Sequence, residues 1–171
     1  MAERPRVVFD CVVLLQAAAR KKSAAANCVN LAEKGFVQLF VSQETLLEIE
    51  DGLSRPELRA HFPGLTDEIA GAFLKRLQTF ANSIPQVPKK FIYQRDEDDE
   101  PYINLAVEVK AHFNVSRDND LLDLMTGYSD ECKEFRRRFR GLRVIEPEEL
   151  FREITIQAFA FLQPRNLRRD A

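Results

Sequence analysis

Short β-branched and aromatic runs alternate along this chain with longer, helix-prone segments, and that alternation restricts the fold more than any other feature. Val7-Val8-Phe9, Phe36–Val41, His112–Ser116 and Leu142–Ile145 read as strands. Ala-rich stretches at Leu14–Ala19 and Ala24–Glu33 read as helices, parted by Arg20-Lys21-Lys22-Ser23, with Gly35 closing the second. Ser42 is placed to cap a helix over Gln43–Leu53, which Ser54-Arg55-Pro56 interrupts. Thr66 caps a helix over Asp67–Asn82, where Ile69, Phe73, Leu77 and Phe80 fall at helical spacing. Pro85 and Pro88 mark an extended crossing, and Pro101 opens another helix. Leu121, Leu122 and Leu124 suggest a short helix, and Pro147 starts a final turn. The connections are too long for hairpins. The pattern therefore predicts a three-layer α/β/α fold with a mostly parallel central sheet. Residues 1–153 are expected to form one domain, with 154–171 as a C-terminal extension whose polar, Arg-rich tail from Gln163 frays.

Composition narrows the function. Lys and Arg number 25 against 27 Asp and Glu, a net charge of −2, which excludes a strongly basic coat for nucleic acid but not a local basic patch. No apolar run approaches the ~18 residues a membrane span needs, and the N-terminus leads straight into the first strand, so neither a membrane segment nor a signal peptide is expected. The three cysteines lack C-x-x-C spacing and there are only two histidines, which argues against a disulfide framework and a zinc site and fits a cytoplasmic protein. Cys11 has no evident His partner, and no Gly-rich phosphate loop is present. Carboxylate chemistry is what remains.

Ligands of open α/β sheets sit beyond the carboxyl ends of the strands. Asp10 ends the first strand, and Asp118 follows the strand that closes at Ser116. Asp99 stands at the start of the helix leading into that strand, and Glu48 one turn into the helix after the second strand. Taken singly, these acids are explained as caps, turns or solvated faces: Asp10 and Asp118 as helix caps, Glu48 as part of a polar face with Glu44 and Asp51, and Asp96–Glu100 as a charged loop. Gathered together, they would repel one another unless a hard cation such as Mg²⁺ or Mn²⁺ joined them.

Four local contexts occur in order: Val7-Val8-Phe9-Asp10-Cys11-Val12, Ser42-Gln43-Glu44-Thr45-Leu46-Leu47-Glu48, Asp96-Glu97-Asp98-Asp99-Glu100-Pro101-Tyr102, and Val115-Ser116-Arg117-Asp118-Asn119-Asp120-Leu121-Leu122. On these motifs the chain resembles the PIN-domain ribonucleases over roughly residues 6–151, in particular the branch that supplies toxins of toxin–antitoxin pairs. The resemblance implies a Mg²⁺- or Mn²⁺-dependent endoribonuclease that cleaves single-stranded RNA with metal-activated water. It makes Asp10, Glu48, Asp99 and Asp118 the acidic quartet, with Asp10, Asp99 and Asp118 on the metal, Ser116 supporting them and Asp120 contributing through water. The third acid is placed at Asp99 rather than at Asp98 or Asp96. It also implies a small antitoxin partner and a homodimer. Where the family has Thr-Asn after the first acid, this chain has Cys11-Val12, which predicts a weakened or differently tuned site. The alternative is a non-catalytic PIN-like module that binds RNA or protein.

A phosphate backbone needs cations. Arg136, Arg137, Arg138 and Arg140, interleaved with Phe135 and Phe139, are the candidate RNA-binding run, set against the plainer reading of aromatic core anchors beneath a solvated basic face.

Overall fold

The computed structural model describes residues 3–162. Its sheet has five strands in the order β3-β2-β1-β4-β5. These are β1 (Arg6–Phe9), β2 (Gln38–Ser42), β3 (Asn82–Ile84), β4 (Phe113–Val115) and β5 (Arg143–Ile145). Every pairing is parallel. The chain steps outward from β1 through β2 to β3, then returns to the other side of β1 for β4 and β5. The order reverses between β1 and β4, and in open sheets that is where a ligand crevice forms.

β1 explains why its sequence is an unbroken apolar run. Val7 and Phe9 are buried in one core, Val8 in the other, so both faces are covered, as parallel sheets require. The first core is closed by α1 (Cys11–Ala19), α2 (Ala24–Glu33), α3 (Gln43–Ser54), α5 (Asp67–Phe80) and α9 (Pro147–Leu162). The second is closed by α6 (Glu100–Glu108), α7 (Asn119–Thr126) and α8 (Asp130–Arg138). The short α4 (Pro56–His61) follows the break at Arg55. This is the expected α/β/α arrangement. Gly35, at φ +80°, ends α2 in the left-handed conformation, with Phe36 N–H donating back to Leu31 O at 2.9 Å.

Two local expectations are corrected. The helix read through Asn82 stops at Phe80, and Asn82–Ile84 becomes edge strand β3. This strand has only β2 beside it and ends before Pro85, so backbone pairing rather than side-chain pattern defines it. The final turn at Pro147 extends to Leu162 as α9, crossing residue 153 without a break. The extended segment before α6 is fastened by side chains. Asn104 Oδ1 accepts the N–H groups of Lys90 and Phe91, each at 2.8 Å, and Glu100 Oε1 accepts that of Tyr93 at 2.7 Å. The tail from Gln163, expected to fray, lies outside the described residues.

Candidate metal centre

The parallel sheet brings Asp10 and Asp118 to one edge. Phe9 pairs with Val115, so Asp10 and Ser116 emerge side by side at the carboxyl ends of β1 and β4. Asp10 is both a helix cap and a member of the acid group. Its Oδ1 accepts Val13 N–H at 2.9 Å, opening α1, while its Oδ2 accepts the Ser116 hydroxyl. Ser116 Oγ in turn accepts Asp118 N–H at 2.9 Å, and Asp118 Oδ1 caps α7 through Asp120 N–H at 2.8 Å. One buried serine thus holds acids from two loops in register.

The third contribution comes from the acidic loop. Asp96 Oδ1 accepts Asp98 N–H at 2.9 Å, closing a turn that brings Asp96 and Asp99 to the same side. Asp99 then starts α6 without capping it, and Pro101 in the first turn removes a possible donor. One carboxylate oxygen from each of Asp96, Asp99 and Asp118 lies within 4.8 Å of the others. Asp98 is exposed and outside this group. Asp96, weighed from the sequence only as an alternative to Asp99, stands here beside it; only the folded turn selects among the five neighbouring acids.

Asp99 is only 8 % exposed, yet its Oδ2 is buried without a hydrogen-bond partner. Burial, and then the charges of Asp118, Asp96, Asp10 and Asp120, push its carboxyl up to about 8. Burial also raises Asp10, to about 6; the Ser116 and Val13 hydrogen bonds oppose the rise, and the Asp118 and Glu48 charges add to it. Clustered, desolvated carboxylates of this kind are what a bound cation would stabilise. Oxygen donors alone suit Mg²⁺ or Mn²⁺. Bonds of ~2.0–2.6 Å place opposite ligand oxygens about 4–5 Å apart, the scale of the Asp96–Asp99–Asp118 set. The residues fit such an ion.

Glu48 approaches from α3, and its Oε2 accepts the Tyr102 hydroxyl at 2.6 Å. Its charge acts on Asp10, though it lies outside the tight trio. Asp120 is engaged elsewhere: Arg95 Nη2 pairs with Asp120 at 2.6 Å and with Asp123 at 2.9 Å. The Cys11 thiol is pushed up to about 12 by burial and then by the Glu48 charge, which disfavours its thiolate.

The basic run lies at the other edge. The end of α8 leads directly into the start of β5, so Arg138 and Arg140 line a cavity of about 340 Å³ with Arg6, Lys110 and His112, at the amino ends of the strands. Arg136 donates to Leu124 O and Gly127 O, both at 2.8 Å, securing the end of α7. Phe135 is fully buried, and Phe91, Phe135 and Phe139 stack edge to face or tilted in the core. The chain order alone carried this signal, because in a parallel sheet the residues just before a strand sit opposite those just after one.

The family model for the PIN domain matches residues 6–120, more than half of the chain. The chain belongs to the PIN domain family, whose members are generally metal-dependent nucleases with RNA as a substrate. No curated protein gives a match. No helix among the described residues is long and apolar enough to cross a membrane.

Proposed function

We propose that this protein is a Mg²⁺- or Mn²⁺-dependent endoribonuclease acting on single-stranded RNA at the Asp10–Asp99–Asp118 edge. The observation that carries this reading is the buried, unpartnered Oδ2 of Asp99, set among Asp96 and Asp118 at the switch point of a PIN fold. Asp96, Asp99 and Asp118 would hold the ion, and Asp10 would complete the site. A bound divalent cation supplies Lewis-acid activation of water and neutralises charge developing on phosphorus oxygens.

The protein's own groups set the geometry. Asp10 is fixed by donors on both oxygens, and Ser116 keeps it in register with Asp118. Glu48 closes the site from α3. Arg117 is engaged by Gln16 at 2.7 Å and Glu148 at 2.5 Å, and Arg95 by Asp120 and Asp123. Phosphate approach to this edge therefore depends on a cation held by the acids. Within this reading, the protein is the toxin of a pair, and a small antitoxin would cover the acids with an Arg or Lys. The Arg136–Arg140 run would meet only RNA long enough to pass round to the opposite edge.

The test is cleavage of single-stranded RNA by the purified chain with Mn²⁺ or Mg²⁺ and with EDTA. Metal-dependent cleavage that Asp10→Asn removes is expected. Mn²⁺ binding without cleavage would replace the enzyme with a metal-dependent RNA-binding module.

A further inference from the structure

We propose that Tyr102 is a positioning residue for Glu48, fixing the orientation of that carboxylate toward the acid pocket; this rests on the metal-dependent reading above. Tyr102 is 2 % exposed, and its ring is packed in the core beneath α6. Only its hydroxyl reaches the pocket, where it donates to Glu48 Oε2 at 2.6 Å. That contact is the one hydrogen bond made by the Glu48 carboxylate among the described residues. Glu48 is a half-buried side chain with three rotatable bonds on α3, whereas Tyr102 has two and a locked ring. The rigid partner therefore selects the rotamer of the flexible one.

The other buried tyrosine is an internal comparison. Tyr93 donates to a backbone carbonyl, Asp120 O, at 2.5 Å. That bond satisfies a buried hydroxyl and fastens a loop. Tyr102 instead reaches a carboxylate that water could serve equally well, and in doing so ties α3 to α6, the helix that Asp99 begins. The phenol engages Oε2 alone, and Oε1 makes no hydrogen bond among the described residues.

Tyr102→Phe keeps the ring and removes only the hydroxyl. Glu48 ordering is read in the metal-free full chain from ¹³C-labelled glutamate side chains by NMR. The wild type should show one Glu48 rotamer and the variant an averaged one. Mn²⁺ affinity, read by calorimetry without RNA, should weaken by roughly 10-fold or more. In a Glu48→Gln background the same change should add no further loss of affinity, because the two act as a unit. An ordered Glu48 in Tyr102→Phe, unchanged Mn²⁺ affinity, or full additivity with Glu48→Gln would each overturn the proposal. A wild type that binds no Mn²⁺ would sink the metal reading instead, while the rotamer measurement would still decide the role of Tyr102.

Discussion

At the carboxyl ends of β1 and β4, Asp96, Asp99 and Asp118 gather near Asp10, and a buried oxygen of Asp99 meets no donor. At the amino ends of the same strands, Arg6, His112, Arg138 and Arg143 gather, and each is answered. Arg6 Nε donates to Val109 O at 2.9 Å, and the Arg6 N–H is accepted by His112 Nδ1 at 3.1 Å. Arg143 pairs with Glu149 and Glu153, each at 2.8 Å, and lies 5.5 Å from the centre of the Phe113 ring. Arg138 reaches Glu134 at 3.3 Å and Lys90 O at 2.9 Å. These four side chains are partnered within the fold, whereas the carboxylates of the opposite edge leave a buried oxygen without a donor. Like charges clustered without a partner raise each other's free energy, and a fold keeps them where a ligand supplies the missing charge.

The largest effect that could break this comparison is expected from Asp118→Asn. Asparagine caps a helix about as well as aspartate, so α7 should stay intact and thermal stability nearly unchanged. Metal-dependent cleavage should fall by roughly a thousandfold, the scale of several kcal/mol of lost charge stabilisation. Single-turnover cleavage measured beside a circular-dichroism melt checks both halves. A loss of activity explained by a loss of fold would return Asp118 to the role of a simple cap.

A smaller effect is expected from Asp99→Asn and is read in stability. The folded carboxyl sits at about 8, far above its unfolded value. The native metal-free state therefore binds more protons than the unfolded one. The contribution to stability is fully present below about pH 4 and is lost as pH rises through about 8. Asp10, at about 6, acts in the same direction over a lower range. In EDTA, Asp99→Asn should match the wild type only at the acid end, below about pH 4, and melt several degrees higher at pH 9. With Mn²⁺ the order should invert, because only the wild type gains from the ion. Equal melting temperatures at pH 9 without metal would mean that the edge is already compensated.

The contrast between the edges also marks how far the sequence could be read. β1 was legible because Val7, Val8 and Phe9 are apolar on both faces, and that is a property of the residues themselves. β3 was not, because Asn82, Ser83 and Ile84 are held by the backbone of β2 and carry no pattern of their own. Asp10 and Asp118 were legible because they follow strands. Asp96 was hidden in a run of acids whose members differ only once the turn forms. The arginines of α8 were legible as a basic run, but their edge is set by the order of α8 and β5, a property of topology rather than of local spacing. The extent of α9 was missed because Pro147 marks a start and no glycine or proline before Leu162 marks a stop.

The smallest expected effect lies at the compensated edge. Lys110 ends α6 at φ 51°, with Ala111 N–H donating to Ala106 O at 2.8 Å, the same helix ending that Gly35 gives α2. A lysine in the left-handed region costs about 1–2 kcal/mol that a glycine avoids. Glycine gives back part of this through the greater freedom of its unfolded chain. Lys110→Gly should therefore stabilise the protein by about 0.5–1 kcal/mol, read as a higher urea midpoint at unchanged slope. It should also leave metal-dependent cleavage of a short single-stranded RNA within about twofold of wild type, since an exposed charge far from the reacting phosphate contributes little. A tenfold drop in cleavage, repeated in Arg140→Ala, would show that substrate is held at both edges. The division between a structural edge and a reactive one would then fail.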